Sequence, residues 1–286
     1  MTNHLKTVLL LGLLSGLIIM LGGMLGGRPG IIIAFALALV MNVGSYWFSD
    51  KIVLSLYKAR ELAPEEAPFL HGAVEELARN AGIPKPRVCV MPEEAPNAFA
   101  TGRDPEHAVV AVTEGILRLL SPEQLKGVLA HEIGHILNRD ILIQTIAGVM
   151  ASAIVTLANI FQFTAIFGGN RDDGHSGNPI AALVLALLAP VAAGIIQMAI
   201  SRSREYLADD TGAALCGNPL SLAGALAKLG AAGRHIPMQA GNPSTAQLFI
   251  VAPLFSMSGG MANLFSTHPP LEERIRRLEA MAAHRR

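Results

Sequence analysis

Four long stretches of this chain contain no Asp, Glu, Lys or Arg, and they restrict its fold more than any other feature. They cover residues 7–27, 31–48, 141–170 and 178–201. A helix needs about 20 apolar residues to cross the hydrocarbon core of a bilayer. The pattern therefore predicts about four transmembrane helices. A mean hydropathy of +0.44 and a charged fraction of only 15% support a membrane protein.

The first two stretches are separated only by the turn Arg28-Pro29-Gly30, so they predict a helical hairpin that anchors the chain. A signal peptide is the alternative for residues 7–27, but its apolar part is longer than the usual length of about 7–15 residues. In the second pair, polar side chains and Pro190 interrupt the apolar residues. Buried helices of a soluble domain are the alternative for that pair.

The uncharged stretches divide the chain into four parts. Residues 1–50 are predicted to form a transmembrane hairpin, and residues 141–201 a second transmembrane pair. Residues 51–140 and 202–286 carry most of the charge, so we expect them to be two parts of one domain outside the membrane.

The first charged part contains two short β-branched runs, at residues 87–91 and 108–112, with turn-forming residues between them. These runs predict a small antiparallel β-sheet. The remaining apolar residues recur at helical spacing. The predicted fold is therefore mainly α with a small antiparallel sheet, in an integral membrane protein.

Basic residues beside the predicted spans indicate the orientation, because cytoplasmic flanks are enriched in Lys and Arg. The predicted spans place seven basic residues on the same side of the membrane as the charged segments: Lys6, Lys51, Lys58, Arg60, Arg139, Arg202 and Arg204. Only Arg28 and Arg171 fall on the opposite side. The charged segments should therefore face the cytoplasm from the cell (inner) membrane. Two isolated cysteines fit a reducing compartment. The zero net charge gives no reason to expect nucleic acid as a partner.

The stretch Ala130-His131-Glu132-Ile133-Gly134-His135 specifies a chemical task. Residues four apart lie nearly above each other on an α-helix, so His131 and His135 can share one metal ion. Glu132 is turned aside from that pair and is placed to act as general base on a water held by the metal. Gly134 costs the helix about 1 kcal/mol, which predicts close approach by another element. A chance match is the alternative, and it carries the usual false-positive risk of motifs.

A catalytic zinc ion usually has three protein ligands. The candidates for the third are the remaining histidines or an acid on a later helix. We prefer Glu205, because it begins a helical run that emerges from the fourth uncharged stretch. Asp209 follows four residues later on the same face, where it could accept the free ring N–H of a ligating histidine. A solvated acidic helix face is the alternative.

These residues resemble those of the HtpX-like membrane-integrated zinc metalloproteases, a family related to the CAAX prenyl proteases. The resemblance rests on the apolar hairpin, the later pair of spans and four motifs, at residues 97–102, 131–135, 203–209 and 267–270. It implies a zincin-like catalytic domain with one Zn²⁺ per chain. The implied ligands are His131, His135 and Glu205, with Glu132 as general base and Asp209 beside a ligand.

The resemblance also implies roles for two further sets of residues. Asn97, Ala98 and Phe99 resemble the sheet edge along which such proteases hold an extended peptide, although an ordinary sheet edge is the alternative. His268 and Arg274 resemble the pair that related proteases place near the developing oxyanion. His268 equally suits a helix cap.

The sequence thus predicts a membrane-anchored zinc endopeptidase. The resemblance implies that it cleaves damaged or misfolded membrane and cytoplasmic proteins, in quality control and stress response. Its partners would be unfolded protein substrates and the lipid bilayer, and its oligomeric state is left open. A prenyl-protein protease is the nearest alternative, but four spans leave little bulk for an enclosed lipid chamber. The other alternative is a non-proteolytic membrane adaptor, which is disfavoured because a structural zinc usually takes four protein ligands.

Overall fold

The computed structural model describes residues 3–150, 202–240, 243–253 and 269–284 of the chain. Within these ranges the fold is mainly helical with one small sheet. The helices are α1 (Asn3–Leu56), α2 (Pro68–Ala81), α3 (Glu114–Leu119), α4 (Pro122–Leu137), α5 (Ile141–Met150), α6 (Arg202–Cys216), α7 (Pro219–Gly233) and α8 (Leu271–His284). The strands are β1 (Arg60–Glu61), β2 (Arg87–Met91), β3 (Ala98–Thr101) and β4 (Val109–Thr113).

α1 consists of two helical arms. Gly27 has a left-handed φ of 56°, which breaks the helix just before the turn predicted at Arg28-Pro29-Gly30. The arms are in contact: the side-chain amide of Asn42 in the second arm donates a 2.8 Å hydrogen bond to Ser15 Oγ in the first. The chain therefore reverses at its N-terminal hairpin about where the sequence predicts.

The second arm, Gly27–Leu56, is the one helix within the described ranges that is long and apolar enough to cross a membrane. Only 17% of its most apolar window is buried, and Ile32 and Ile33 are each about 70% exposed. Such a surface is unlike that of a helix in a soluble core. The set of four transmembrane helices stays a prediction, since residues 151–201 lie outside the described residues.

α5 is the beginning of the predicted third span, and it is enclosed by protein. Ile141 and Ile146 are almost completely buried. The Thr145 hydroxyl lies 3.0 Å from the Thr101 hydroxyl at the end of β3. These first turns of the uncharged stretch therefore pack against the sheet.

The sheet is mixed, so the prediction of an antiparallel sheet was wrong. The strand order is β1-β2-β4-β3, and β2 and β4 run parallel, whereas β1 and β3 are antiparallel to their neighbours. The reason is β3, which lies between the two β-branched runs in the sequence. Because β3 runs back along the sheet and the chain reverses again before β4, β4 regains the direction of β2. This order leaves β3 at the edge.

Two apolar cores lie on opposite faces of the sheet, because successive strand side chains alternate between faces. The larger core is closed by α2, α4, α7 and α8, and its strand residues include Val88, Val90, Val110 and Val112. The smaller core joins the sheet to the end of α1 through the rings of Tyr57, Phe99 and Phe249. The end of the membrane helix is thus fixed directly to the edge strand.

Two glycines allow α4 and α6 to pack closely. A Cβ on Gly212 would lie 2.8 Å from the backbone nitrogen of His131, and a Cβ on Gly134 would lie 3.1 Å from the Ala208 carbonyl oxygen. The close approach predicted from Gly134 is confirmed. The partner is the helix that carries Glu205.

We expect Gly212→Ala to lower the free energy of unfolding by about 1–3 kcal/mol, because the added methyl group would push α6 away from α4. Gly72→Ala is a matched control on α2, where an added Cβ meets no atom within 4 Å. That change should be neutral or stabilising by up to about 1 kcal/mol, since alanine favours a helix. Thermal unfolding of the detergent-purified variants measures both. Equal melting temperatures for the two variants would contradict the close packing.

Candidate metal centre

α4 is positioned by its N-terminus and by burial on all sides. Ser121 and Gln124 form a capping box, and Pro122 occupies the first helical position. His131 and His135 point to the same side, with their Nε2 atoms 3.1 Å apart. Two metal–nitrogen bonds of about 2.0–2.1 Å at a tetrahedral angle would place the nitrogens about 3.3 Å apart. The spacing therefore suits two imidazoles that share one ion.

α6 brings Glu205 to the same point. Its two carboxylate oxygens lie 3.5 Å from His135 Nε2 and 3.8 Å from His131 Nε2. One ligand atom from each of the three residues lies within 4.8 Å of the others, and all three side chains are buried. The structure thus brings together the three residues that the sequence singled out as ligands.

Asp209 lies one turn after Glu205 and contacts the other side of the first imidazole. Its Oδ1 is 3.0 Å from His131 Nδ1. Arg274, from α8, donates to both oxygens of Asp209 at 2.7 and 2.8 Å and to the Ile250 carbonyl at 2.9 Å. Because the carboxylate is held from two sides, it can fix the tautomer and the angle of the His131 ring.

Asp140 has the corresponding position at the second imidazole, and the sequence analysis missed it. Both its carboxylate oxygens lie 3.1 Å from His135 Nδ1, and the residue is completely buried. It is brought there by Arg139, which adopts a left-handed φ of 55° just after α4 ends. An acid five residues after the second histidine was the only signal available, and helical periodicity does not select that position.

The buried charges around the cluster do not balance among the described side chains. Four carboxylates are each at most 2% exposed: those of Glu132, Asp140, Glu205 and Asp209. They face two buried guanidinium groups, from Arg204 and Arg274. Uncompensated buried charges cost several kcal/mol each. With neutral imidazoles the excess is two negative charges, so a divalent metal ion fits both the donor atoms and the charge.

Burial and nearby charges shift the pKa values of the site groups. Burial raises the pKa of Glu132 to about 7, and the Glu205 carboxylate adds to that rise. Burial lowers the pKa of His131. Burial also acts to lower the pKa of His135, but Asp140 and Glu205 outweigh it and raise that pKa to about 10. Metal binding would displace this proton, because a ligating imidazole is neutral.

Glu132 has one carboxylate oxygen available. The backbone N–H of Ala100 in β3 donates a hydrogen bond to the carboxylate. Oε1 of Glu132 is buried and has no hydrogen-bond partner among the described residues. A buried acceptor without a partner is costly, which is typical of a group that meets a ligand or water during function.

The residues predicted to hold substrate lie at the edge of the sheet, and the chain itself covers part of that edge. The Ala98 carbonyl accepts a 3.1 Å hydrogen bond from the Ile250 N–H. The Asn97 amide donates to the Val251 carbonyl at 2.7 Å and accepts from the Val251 N–H at 3.4 Å. Residues 249–251 thus lie where an added strand would pair with Asn97 and Ala98.

The other predicted residues are placed as follows. The ring of Phe99 is fully buried in the smaller core. His268 lies outside the described residues. Arg274 is beside the cluster, where Asp209 and the Ile250 carbonyl take up its donors.

A comparison with known families matches residues 64–282 to the family described as Peptidase family M48. Three proteins described as protease HtpX homologs are similar over nearly the whole chain. The protein of Syntrophobacter fumaroxidans is 56% identical and covers 98% of this chain and 100% of its own length. That of Persephonella marina is 59% identical, with 98% of both chains covered. That of Pyrococcus furiosus is 56% identical, with 97% and 95% covered.

Among solved structures, the crystal structure of S. mikatae Ste24p has a similar fold, with a TM-score of 0.50 and 21% sequence identity. The match covers 97% of this chain, and this chain spans 65% of the length of Ste24p. At that identity the likeness concerns the fold alone. It agrees with the mainly helical architecture of the described residues.

Asp140→Asn should weaken metal binding about 10- to 100-fold, because an amide holds the His135 ring less firmly than a carboxylate and raises its basicity less. Zinc affinity can be measured by competition with a chromophoric chelator. Asp210→Asn is the matched control, because Asp210 lies beside Asp209 on α6 and forms an exposed ion pair with Arg277 of α8. If both variants bound zinc like the parent, Asp140 would have no part in the metal centre.

Proposed function

We propose that one zinc ion is held by His131, His135 and Glu205. This chain belongs to peptidase family M48, as a membrane metalloprotease of the HtpX type. The main support is the buried grouping of these three side chains beside Glu132. A bound zinc ion would supply a Lewis acid for the peptide carbonyl and would make water acidic enough to react near neutral pH. The remaining steps are the work of the chain's own residues.

Glu132 is the general base. Its Oε1 has no hydrogen-bond partner within the described ranges, and burial raises its pKa to about 7. A base is most effective when its pKa is near the working pH. We assign to Glu132 the removal of a proton from the attacking water and its delivery to the nitrogen of the leaving amine. The Ala100 N–H keeps the carboxylate in position during this transfer.

Asp209, Asp140 and Arg274 position the ligands. Asp209 and Asp140 each contact the Nδ1 atom of one imidazole, which leaves Nε2 of both rings directed to the metal. Arg274 compensates the charge of Asp209 and fixes its orientation. A direct role for Arg274 and His268 at the oxyanion stays a prediction. The donors of Arg274 are already taken up in this arrangement.

We propose that an extended substrate pairs with β3 beside Glu132. Backbone groups of alternate strand residues point away from the neighbouring strand, so Ala98 and Ala100 are those that face outward. The Ile250 N–H already donates a hydrogen bond to the Ala98 carbonyl. A peptide therefore either displaces residues 249–251 or begins its pairing near Ala100. Backbone pairing of this kind accepts many sequences, which suits a protease for unfolded proteins.

The substrate class follows from the position of the site near the membrane. Tyr57, directly after α1, packs on Phe99 of β3 with ring centres 5.8 Å apart. The edge strand is thus only one side chain from the end of the membrane helix. We infer that the substrates are damaged or misfolded membrane proteins and exposed cytoplasmic segments. The basic flanks of the spans support a multi-pass protein with its catalytic part in the cytoplasm.

Glu132→Gln should keep its zinc and lose at least about 100-fold in cleavage rate, because the base is removed while the ligands stay. The measurement is cleavage of an unfolded model protein by the detergent-purified chain, with zinc content determined by elemental analysis. Glu114→Gln changes an exposed acid on α3 and should cleave like the parent. Loss of zinc from Glu132→Gln would reject its role as a base that does not bind the metal.

Glu205→Gln should lose most of its zinc and its activity together, since a neutral amide is a poor zinc ligand. The same elemental analysis checks this result. Unchanged zinc content in Glu205→Gln would transfer the third ligand position to another residue.

A prenylated C-terminal peptide separates this proposal from the alternative of a prenyl-protein protease. We expect the chain to cleave the unfolded protein and to show no preference for the prenylated peptide over its unprenylated form. Mass spectrometry of the products measures both rates. A clear preference for the prenylated form would favour the alternative.

A further inference from the structure

A cavity of about 560 Å³ lies at the end of α1, apart from the metal ligands. Its walls come from the end of α1, the start of β2 and the turn before β4, and they include Trp47, Phe48, Lys51, Lys85, Arg87 and Arg103. Its volume is within the range of about 300–1,000 Å³ that is usual for small-molecule sites. None of these residues takes part in the proposed catalysis.

The position of this cavity along α1 corresponds to the surface of the bilayer. The uncharged residues 31–48 extend over about 27 Å at 1.5 Å per residue, close to the hydrocarbon thickness of about 30 Å. Trp47 and Phe48 end that segment and are about half exposed. Amphipathic aromatic rings are enriched at the membrane–water boundary. Lys51, one turn further on, therefore lies at the level of the lipid headgroups.

Three of the four cations that line the cavity form ion pairs, and two acids, Asp50 and Glu106, line it as well. Arg87 and Lys85 form exposed ion pairs with Asp50 and Glu75, both at 3.0 Å. Such pairs are weak and can exchange a partner for another anion. Lys51 has no carboxylate within 4.0 Å in the described part of the chain. Its ammonium group lies 5.5 Å from the centre of the Phe48 ring.

Arg103 closes the other side of the cavity. Its guanidinium carbon lies 4.9 Å from the centre of the Trp47 ring, a cation–π contact. It also contacts Asp104 at 3.4 Å through Nε and the His107 ring through Nη2, which leaves Nη1 for another acceptor. A planar guanidinium held in this way can present N–H donors to a phosphate. Lys51 and Arg103 thus offer two kinds of cation to one anion at the membrane surface.

We propose that this cavity binds the headgroup phosphate of an anionic phospholipid, with Lys51 and Arg103 as its main contacts. The exposed apolar side chains of Val40 and Val43 continue from the cavity along α1 and offer a surface for an acyl chain. A soluble phosphate would gain nothing from that surface. The surplus cation, Lys51, favours an anionic lipid over a zwitterionic one.

The test is native mass spectrometry of the full-length chain in detergent, with phosphatidylglycerol and phosphatidylcholine of identical acyl chains added separately. We expect stronger retention of phosphatidylglycerol. Lys51→Gln and Arg103→Gln should each weaken it about fivefold, the usual effect of one cation at an anionic surface. Lys51→Arg keeps the charge and should keep the lipid.

Lys58→Gln is the matched control, because Lys58 is exposed near the end of the same helix and does not line the cavity. It should retain phosphatidylglycerol like the parent. Equal retention of the two lipids, or an equal loss in Lys58→Gln, would overturn the site. Complete displacement by inorganic phosphate at the same concentration as the lipid would assign the cavity to a free anion instead. Cleavage of an unfolded protein should be unchanged in every variant, which shows that each is folded.

Discussion

The burial of four carboxylates around two imidazoles is the constraint on which the rest of this structure depends. Removing a charge from water costs several kcal/mol unless an opposite charge lies close by. Two guanidinium groups supply part of that compensation, and a cation among His131, His135 and Glu205 would supply the rest. The sheet and the helices around α4 keep water out. In such a site the electrostatic interactions are stronger than at a surface.

The structure brings the three proposed ligands together, and helical periodicity accounts for part of that grouping. His131 and His135 are one turn apart, and so are Glu205 and Asp209. Asp140 does not follow this periodicity, because the left-handed backbone of Arg139 turns the chain so that Asp140 reaches the site. A positive φ is uncommon for an arginine, so the sequence does not predict it. The direction of the strands was equally hidden. Two β-branched runs predict strands, but β3 between them decides that they run parallel.

The apolar stretches show a different limit. A stretch without charges is suited to lipid and to a protein interior alike. Gly27–Leu56 has the exposed surface that lipid requires, whereas the first turns of the third stretch are enclosed beside β3 in α5. Composition therefore indicates how much of the chain avoids water. Only packing reveals which of these segments meet lipid.

The covering of β3 has a consequence for self-association. An edge strand with open backbone groups is a template on which other chains aggregate. This danger is greatest for a protein that binds unfolded segments, as we propose for this chain. Here Ile250 and Val251 form hydrogen bonds with Ala98 and Asn97 on the outer side of β3. The Ala100 N–H is bonded to the Glu132 carboxylate. Another chain must replace these existing hydrogen bonds before it can pair with β3. Non-specific association therefore gains little free energy, and only a segment that fits the site well is retained.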